Sequence, residues 1–303
     1  MSDIISNKQM KLTLHPDKAD SLFLYYYFSS PQVQEQIIGN NIGSSVPGFN
    51  LGQLKTMELN LPPLPEQKAI ASVLSSLDDK IDLLHRQNKT LEALAETLFR
   101  QWFVEQAQED WESVRLGDFV KTNVSSLTKD TNLKTIRYLD TGSLTEGKIE
   151  NFQVVDLSDA PSRARRIVKH NDVLISTVRP NQKHYGIIKN PDEDIVVSTG
   201  FCIISCDKIN PHFVYSFLTS DDMTEYLHSI AEASTSTYPS LKPSDIEGLE
   251  FKLPAEERLR EFSKYADDAW DKIEYNYIQL RTLEKLRDTL LPKLMSGEVR
   301  VEI

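Results

Sequence analysis

The sequence predicts an α+β protein in which globular lobes of mixed α and β structure are joined by two long helices forming an antiparallel coiled coil. Three observations carry this: an internal repeat with an offset of 192 residues, two sustained heptad stretches, and a strand-rich segment lying between them.

The repeat comes first because it organises everything else. Shifted by 192, Asp79-Lys80-Ile81 meets Asp271-Lys272-Ile273, Thr90-Leu91-Glu92 meets Thr282-Leu283-Glu284, and Thr97-Leu98 meets Thr289-Leu290. With Gln87/Gln279 and Leu94/Leu286 this makes ten identities in the twenty positions 79–98, where chance supplies about one. Leu61-Pro62 likewise meets Leu253-Pro254. A shift of 190 pairs Phe23-Leu24-Tyr25 with Phe213-Val214-Tyr215 and Asp17-Lys18 with Asp207-Lys208, and the two-residue difference falls in a Gly/Ser-rich loop that tolerates insertion. The chain is therefore read as an incomplete first lobe (1–64), a first helix (65–106), a second lobe (107–255), a second helix (256–296) and a tail (297–303). The first lobe holds only the counterpart of the last third of the second, a strand-and-helix portion.

Pro62-Pro63-Leu64-Pro65 breaks structure and opens a helix, since proline is tolerated in a first turn and not deeper. Ile70, Leu74, Leu77, Ile81, Leu84, Leu91, Leu98 and Trp102 then fall at heptad spacing, with Asn88 and Ala95 filling the gaps. The second helix, about Glu256 to Leu291, carries Phe262, Ala266, Ala269, Ile273, Leu280, Leu283, Leu290 and Leu294 in the matching places, interrupted by Asn276 and Arg287. Neither helix buries its stripe alone, and the complete lobe between them leaves ample chain to return, so an antiparallel pair is expected. Asn88 and Asn276 either fix the register or are tolerated beside a solvent gap. At 1.5 Å per residue each helix is about 57 Å long, or roughly one and a half turns of B-DNA at about 34 Å per turn; such a rod could set a spacing between two half-sites.

The net charge of −11 opposes a simple DNA-coating protein, so any nucleic-acid contact has to be local. It is found between Asp159 and Lys189, where Arg163, Arg165, Arg166, Lys169, Arg179, Lys183 and Lys189 stand against Asp159 and Asp172 alone. Such an island is a candidate phosphate-facing surface; the alternative is a solvated charge run. Base-reading chemistry is interleaved with it. Ser176, Thr177, Arg179, Asn181, Gln182, Lys183 and Tyr185 leave an apolar strand into a loop, and Arg suits guanine while Asn or Gln suits adenine. A second hydroxyl-rich loop, 233–240, offers Ser236 and Tyr238. Strands are predicted at Thr135–Leu139, Asp172–Val178, Gly186–Lys189 and Val196–Cys206, and helical spacing runs over Pro211–Ile230.

No catalytic or metal site is predicted. The chain has no GxxxxGKS or GxxxxGKT phosphate loop, no Gly-rich loop suited to S-adenosylmethionine and no Asn/Asp-Pro-Pro-aromatic tetrapeptide. Asp192-Glu193-Asp194 reads as a solvated loop, and His85 and His228 have no partner at ligand spacing. Cys202 and Cys206 read as free thiols on a buried strand, with a disulfide or metal pair as the alternative. Without a long apolar run or a signal peptide, the expected location is the cytoplasm, with no membrane partner.

Several motifs together carry a family resemblance: Asn60-Leu-Pro-Pro-Leu-Pro-Glu-Gln-Lys-Ala-Ile70 running into Leu74-Ser-Ser-Leu-Asp-Asp-Lys-Ile81, Leu98-Phe-Arg-Gln-Trp-Phe103 closing the first helix, Trp111-Glu-Ser-Val-Arg-Leu-Gly-Asp118 opening the second lobe, and Leu290-Leu-Pro-Lys-Leu-Met-Ser-Gly-Glu-Val299 ending the second helix. Over essentially its whole length the chain resembles the specificity subunit of type I restriction–modification enzymes. The resemblance implies target-recognition domains that each read half of a bipartite site in double-stranded DNA, and a coiled coil that docks methyltransferase subunits. Those subunits would bind S-adenosylmethionine, translocating restriction subunits can join them, and this chain would hold no cofactor and do no catalysis. The chain departs from the pattern by starting inside its first recognition domain. The competing reading is therefore a truncated scaffold that docks the methyltransferase without reading a full site.

Overall fold

A computed structural model describes residues 10–39, 50–128, 131–234 and 239–302. In chain order the helices α1 (Ser21–Ser29), α2 (Pro31–Gly39), α3 (Leu51–Thr56) and α4 (Leu64–Arg100) come first. The strands β1 (Ser113–Arg115), β2 (Val120–Thr122), β3 (Thr135–Leu139), β4 (Leu144–Thr145), β5 (Lys148–Ile149), β6 (Gln153–Asp156), β7 (Ala164–Ile167), β8 (Val173–Ser176), β9 (Tyr185–Ile187), β10 (Ile195–Ser198) and β11 (Phe201–Cys206) follow. The chain ends with α5 (Pro211–Thr219), α6 (Asp221–Glu232), α7 (Pro243–Glu247), β12 (Glu250–Lys252) and α8 (Glu256–Ser296). The α+β class with two long antiparallel helices is as the sequence predicted. Among the described residues no helix is long and apolar enough to cross a membrane.

The repeat is visible element by element. Helix α1 and its N-cap Asp20, which accepts from the Leu22 and Phe23 N–H groups, stand 190 residues before α5 and its N-cap Asn210, which accepts from His212 and Phe213. The starts of α3 and α4 precede those of α7 and α8 by 192. Two short polar side chains thus satisfy the same orphan donors in both copies.

The chain divides into two compact units, 1–88 with 275–303, and 89–274. In the first, Phe23, Leu24, Tyr26, Tyr27 and Val33 pack on Ile70, Ala71, Leu74 and Leu294. Gln67, 1% exposed, accepts from the Asp20 N–H (2.9 Å) and donates to Lys18 O (3.0 Å) and Pro62 O (2.8 Å), tying the entry to α1 onto α4. Within the described residues before α4 there is no strand, contrary to the expected strand-and-helix portion. Residues 58–60 occupy the repeat position of β12, but β12 pairs with β1, and a lone extended segment has nothing to bond to.

The antiparallel pairing is explicit within this unit. Asn276 Nδ2 donates to Asn88 Oδ1 (2.7 Å), and Arg287 pairs with Asp78 (3.1 Å). Ile81, Leu84 and Leu280 form one buried cluster, with Leu283 against it. Arg287 interrupts the apolar stripe because it has a half-buried carboxylate to meet. Leu77, Leu283 and Leu290 flank the seam half-buried.

In the second unit the seam departs from a strict heptad. The buried residues of α4 run Ala95, Phe99 and, in the widened π turn that follows α4, Phe103. Leu91, Leu98 and Trp102 are only half-buried. One four-residue step replaces a three, a stutter that turns the stripe, because here α4 faces the lobe as well as α8. Phe99, Phe103, Phe213 and Phe262 meet at centroid distances of 5.0–6.3 Å. On α8, Trp270 takes the buried place expected of Ala269, which is half-buried, while Phe262, Ala266 and Ile273 are buried as expected. Trp102 lies against Tyr265 (6.1 Å) with the Arg258 guanidinium 5.1 Å over its ring.

The second lobe is two four-stranded sheets, β6-β3-β10-β7 and β2-β11-β8-β9, with a β1-β12 ribbon and a β4-β5 hairpin. Strands β10 and β11, predicted as one run, are separated by Thr199-Gly200, where the chain leaves one sheet for the other. A Cβ on Gly200 would lie 2.9 Å from Thr141 Cγ2, so any larger residue at the crossing would have to displace that methyl group. Leu139, Val197, Phe201, Ile203 and Leu174 fill the core. The predicted helix 211–230 breaks at Ser220, which caps α6 by accepting from Met223 N.

Candidate nucleic-acid interface

The β8–β9 hairpin is antiparallel, with Ile175 opposite Tyr185, so residues 177–184 form its loop. Arg179 (φ 49°, ψ 65°) and Lys183 (φ 56°, ψ 36°) are left-handed and bracket a single 3-10 turn, Pro180–Gln182. Left-handed backbone costs about 1–2 kcal/mol per non-glycine residue, so the surroundings must enforce it. The Arg179 N–H donates to Pro239 O (3.1 Å), Leu241 N–H to Thr177 O (2.7 Å), and Glu146 N–H to Lys183 O (2.9 Å). Thr177 donates through both N–H and Oγ1 to Gly200 O (2.8 and 2.9 Å).

The same crossing turn holds a second loop, because the Thr199 N–H donates to Arg163 O (2.8 Å). Residues 161–163 and 177–183 therefore meet at Thr199-Gly200. Arg163 and Arg165, before and on the edge strand β7, and Arg179, Asn181 and Gln182 in the hairpin loop are all exposed. Arg163, Asn181 and Gln182 make no side-chain hydrogen bond among the described residues. This group combines phosphate-type and base-reading side chains on a braced scaffold.

The other residues singled out from the sequence go elsewhere. Ser176 is 2% exposed, and its hydroxyl donates to Val178 O (2.8 Å) and accepts from Val178 N (3.2 Å), so it shapes the loop and reads nothing. Arg166, next to Arg165 on a strand, points to the opposite face; it is half-buried, reaches Ser126 Oγ (3.3 Å), and its Nε has no partner among the described residues. Lys183 Nζ is engaged by Asp221 (2.9 Å) and Glu146 (3.7 Å). Tyr185 packs on Tyr215 of α5 (6.0 Å), and burial pushes its hydroxyl up to about 12. Lys169 is exposed past the far end of β7, where Asp172 Oδ2 accepts from its backbone N–H (2.7 Å). Ser236 and Tyr238 lie outside the described residues.

Lys189, counted in the basic island, is half-buried against α5 and α8. Its Nζ donates to Asn171 Oδ1 (2.7 Å) and His212 Nε2 (2.9 Å), which requires the ring proton on Nδ1, and that nitrogen lies 2.8 Å from Asp267 Oδ1. The ring stacks on Trp270 at 4.7 Å. Burial lowers both the Lys189 and the His212 pKa. This Asp267–His212–Lys189 chain fastens the lobe to its helix, and a charge count could not show it. The acidic loop is likewise internal business: Asp192 and Asp194 hold Arg137 (2.5 and 2.6 Å). Cys202 and Cys206 are free thiols on β11, and burial pushes each up to about 12.

Residues 3–93 match the family model described as the type I restriction modification DNA specificity domain. Along 99% of its length the chain is 27% identical to the type I restriction enzyme MjaIX specificity subunit of Methanocaldococcus jannaschii, of which it spans 74%. The chain is thus similar to the type I specificity subunits over almost its whole length. A second relative, the type I restriction enzyme HindI specificity subunit of Haemophilus influenzae, is 28% identical over 60% of the chain and 40% of that relative. The crystal structure of the type I restriction–modification S subunit from M. genitalium shares the fold, with a TM-score of 0.58 at 19% identity over 96% of this chain and 75% of that one. The second lobe of the chain, which carries these loops, lies beyond the part matched by the family model.

Proposed function

We propose that this chain is a specificity subunit that reads one half of a bipartite site in double-stranded DNA, in the cytoplasm, through the loops that meet at Thr199-Gly200. The observation that carries this reading is the exposure of Arg163, Arg165, Arg179, Asn181 and Gln182 on two segments that both bond to the Thr199-Gly200 turn, on an otherwise acidic chain. Four exposed cations of the island, Lys169 among them, suit phosphates, while the Asn181 and Gln182 amides suit adenine. The outer faces of α4 and α8 would dock methyltransferase subunits. Those partners bind S-adenosylmethionine and carry methylation, restriction subunits carry cleavage, and this chain contributes recognition alone.

The test is duplex selection from a randomised pool by the chain assembled with methyltransferase subunits. Arg179→Ala should cost about 1–3 kcal/mol and relax one base position. Arg163→Gln with Arg165→Gln should weaken all duplexes alike and lower the salt slope by roughly two, one for each phosphate no longer neutralised. If all three substitutions leave both selection and affinity unchanged, the chain is a scaffold that docks the methyltransferase without reading. The isolated chain, given S-adenosylmethionine and duplex, should transfer no methyl group; transfer by it would overturn the assignment of chemistry to partners.

A further inference from the structure

The repeat and the helix register together say something that neither says alone. The 192-residue offset carries Asn88 onto Leu280 and Leu84 onto Asn276. In the structure Asn88 faces Asn276, 4% and 0% exposed, and the next layer towards Leu283 sets Leu84 against Leu280, 1% and 2% exposed. The polar layer and the apolar layer beside it are thus exchanged by the repeat, with a pseudo-twofold point between them.

Two helices that arose by duplication are each capable of pairing with their own kind. Placing a second α4 where α8 lies, in the same register, sets Leu84 where Asn276 was and Asn88 where Leu280 was. Each Asn88 then faces a leucine, in both layers. A pair of α8 helices fails in the same way, with each Asn276 against Leu280. When two chains pair like with like, all four buried amides lose the one hydrogen bond they have, whereas pairing α4 with α8 keeps every one. A buried amide left without its partner shifts the equilibrium by about tenfold or more.

We infer that Asn88 and Asn276 are specificity-determining residues of the helix interface, which accepts the opposite repeat and rejects a second copy of the same one. A single polar seam residue is a general device for fixing register; here the asymmetric placement fixes partner identity as well. The seam fits an α8-type helix, from this chain or by exchange from another copy, and excludes an α4-type helix.

Full-length chain is unfolded in denaturant and refolded at rising concentration, and the dimer fraction is measured by light scattering after size separation. Exchange of α4 and α8 between two chains keeps Asn88 on Asn276, so it is open to every variant and sets the baseline. Asn88→Leu with Asn276→Leu makes every pairing apolar. Leu84→Asn with Leu280→Asn gives every pairing matched amides. Both should raise the dimer fraction about tenfold or more above the unsubstituted chain. The first strengthens the seam and the second weakens it, so a shared rise cannot come from stability. Should the second variant not fold, the first alone decides. Refolding with the unsubstituted dimer fraction would overturn the inference.

Discussion

Phe213→Ala lowers the stability of the second unit by about 3–5 kcal/mol, the largest loss expected from any single substitution there. The ring is 2% exposed and meets Phe99 and Phe103 after α4's turn of the stripe, Phe251 of β12 and Phe262 of α8, at 5.0–6.3 Å. It is the one side chain among these that touches both long helices and the ribbon, so its removal leaves a cavity whose walls belong to four elements and cannot all close in. For a unit of this size the melting temperature should fall by roughly 6–20 °C. Tyr226→Ala, at a residue 55% exposed on α6, should stay within about 0.5 kcal/mol. Thermal unfolding of both variants is the measurement, and equal losses at the two positions would show that the aromatic cluster does not hold lobe to helices.

The importance of Phe213 was partly legible, since the repeat pairs it with Phe23, 1% exposed in the first unit. Legibility of this kind came from duplication: one offset locates α1 against α5 and another α4 against α8, before any strand is assigned. The heptad period then correctly placed Ile70, Leu74, Ile81, Leu84, Leu280 and the Asn88–Asn276 layer. It failed beyond Ala95 because the period describes a helix meeting one partner, and there α4 meets two. The first lobe shows the converse limit. Leu59 has the pattern of a strand residue, as Phe251 does, but a strand exists only where a neighbour accepts its hydrogen bonds, and β1 supplies that neighbour to β12 alone.

The recognition loops were the least legible part. A count of charge gave Arg163, Arg165, Arg166, Lys169, Arg179, Lys183 and Lys189 equal weight, yet Lys183 is held by two carboxylates and Lys189 is inside the lobe–helix fastening. Part of the sorting was available in principle. Arg165 and Arg166 are adjacent on a strand, so only one of them can face outward. Ser176 ends an apolar run whose every residue is buried. What no local pattern carries is the meeting of two loops at Thr199-Gly200, since the hydrogen bonds that join them link residues 23 to 36 positions apart.

Glu92→Gln should stabilise the second unit at pH 8 by about 2–3 kcal/mol and by almost nothing below pH 4.5. Glu92 is half-buried where α4 meets the β4–β5 turn, and burial, with Glu146 adding to it, pushes its carboxyl from the ordinary 4.5 up to about 7. A carboxyl raised in the folded state favours folding in its protonated form. Its contribution is full below pH 4.5 and is lost as the pH climbs through 7, where the folded chain must hold a desolvated carboxylate that the unfolded chain holds in water. Glutamine keeps the neutral shape and cannot ionise. Denaturant midpoints of parent and variant at pH 5 and pH 8 separate the cases: the gap between the two chains should open as the pH rises. A gap that stays constant would mean the Glu92 carboxylate is hydrated in the folded protein.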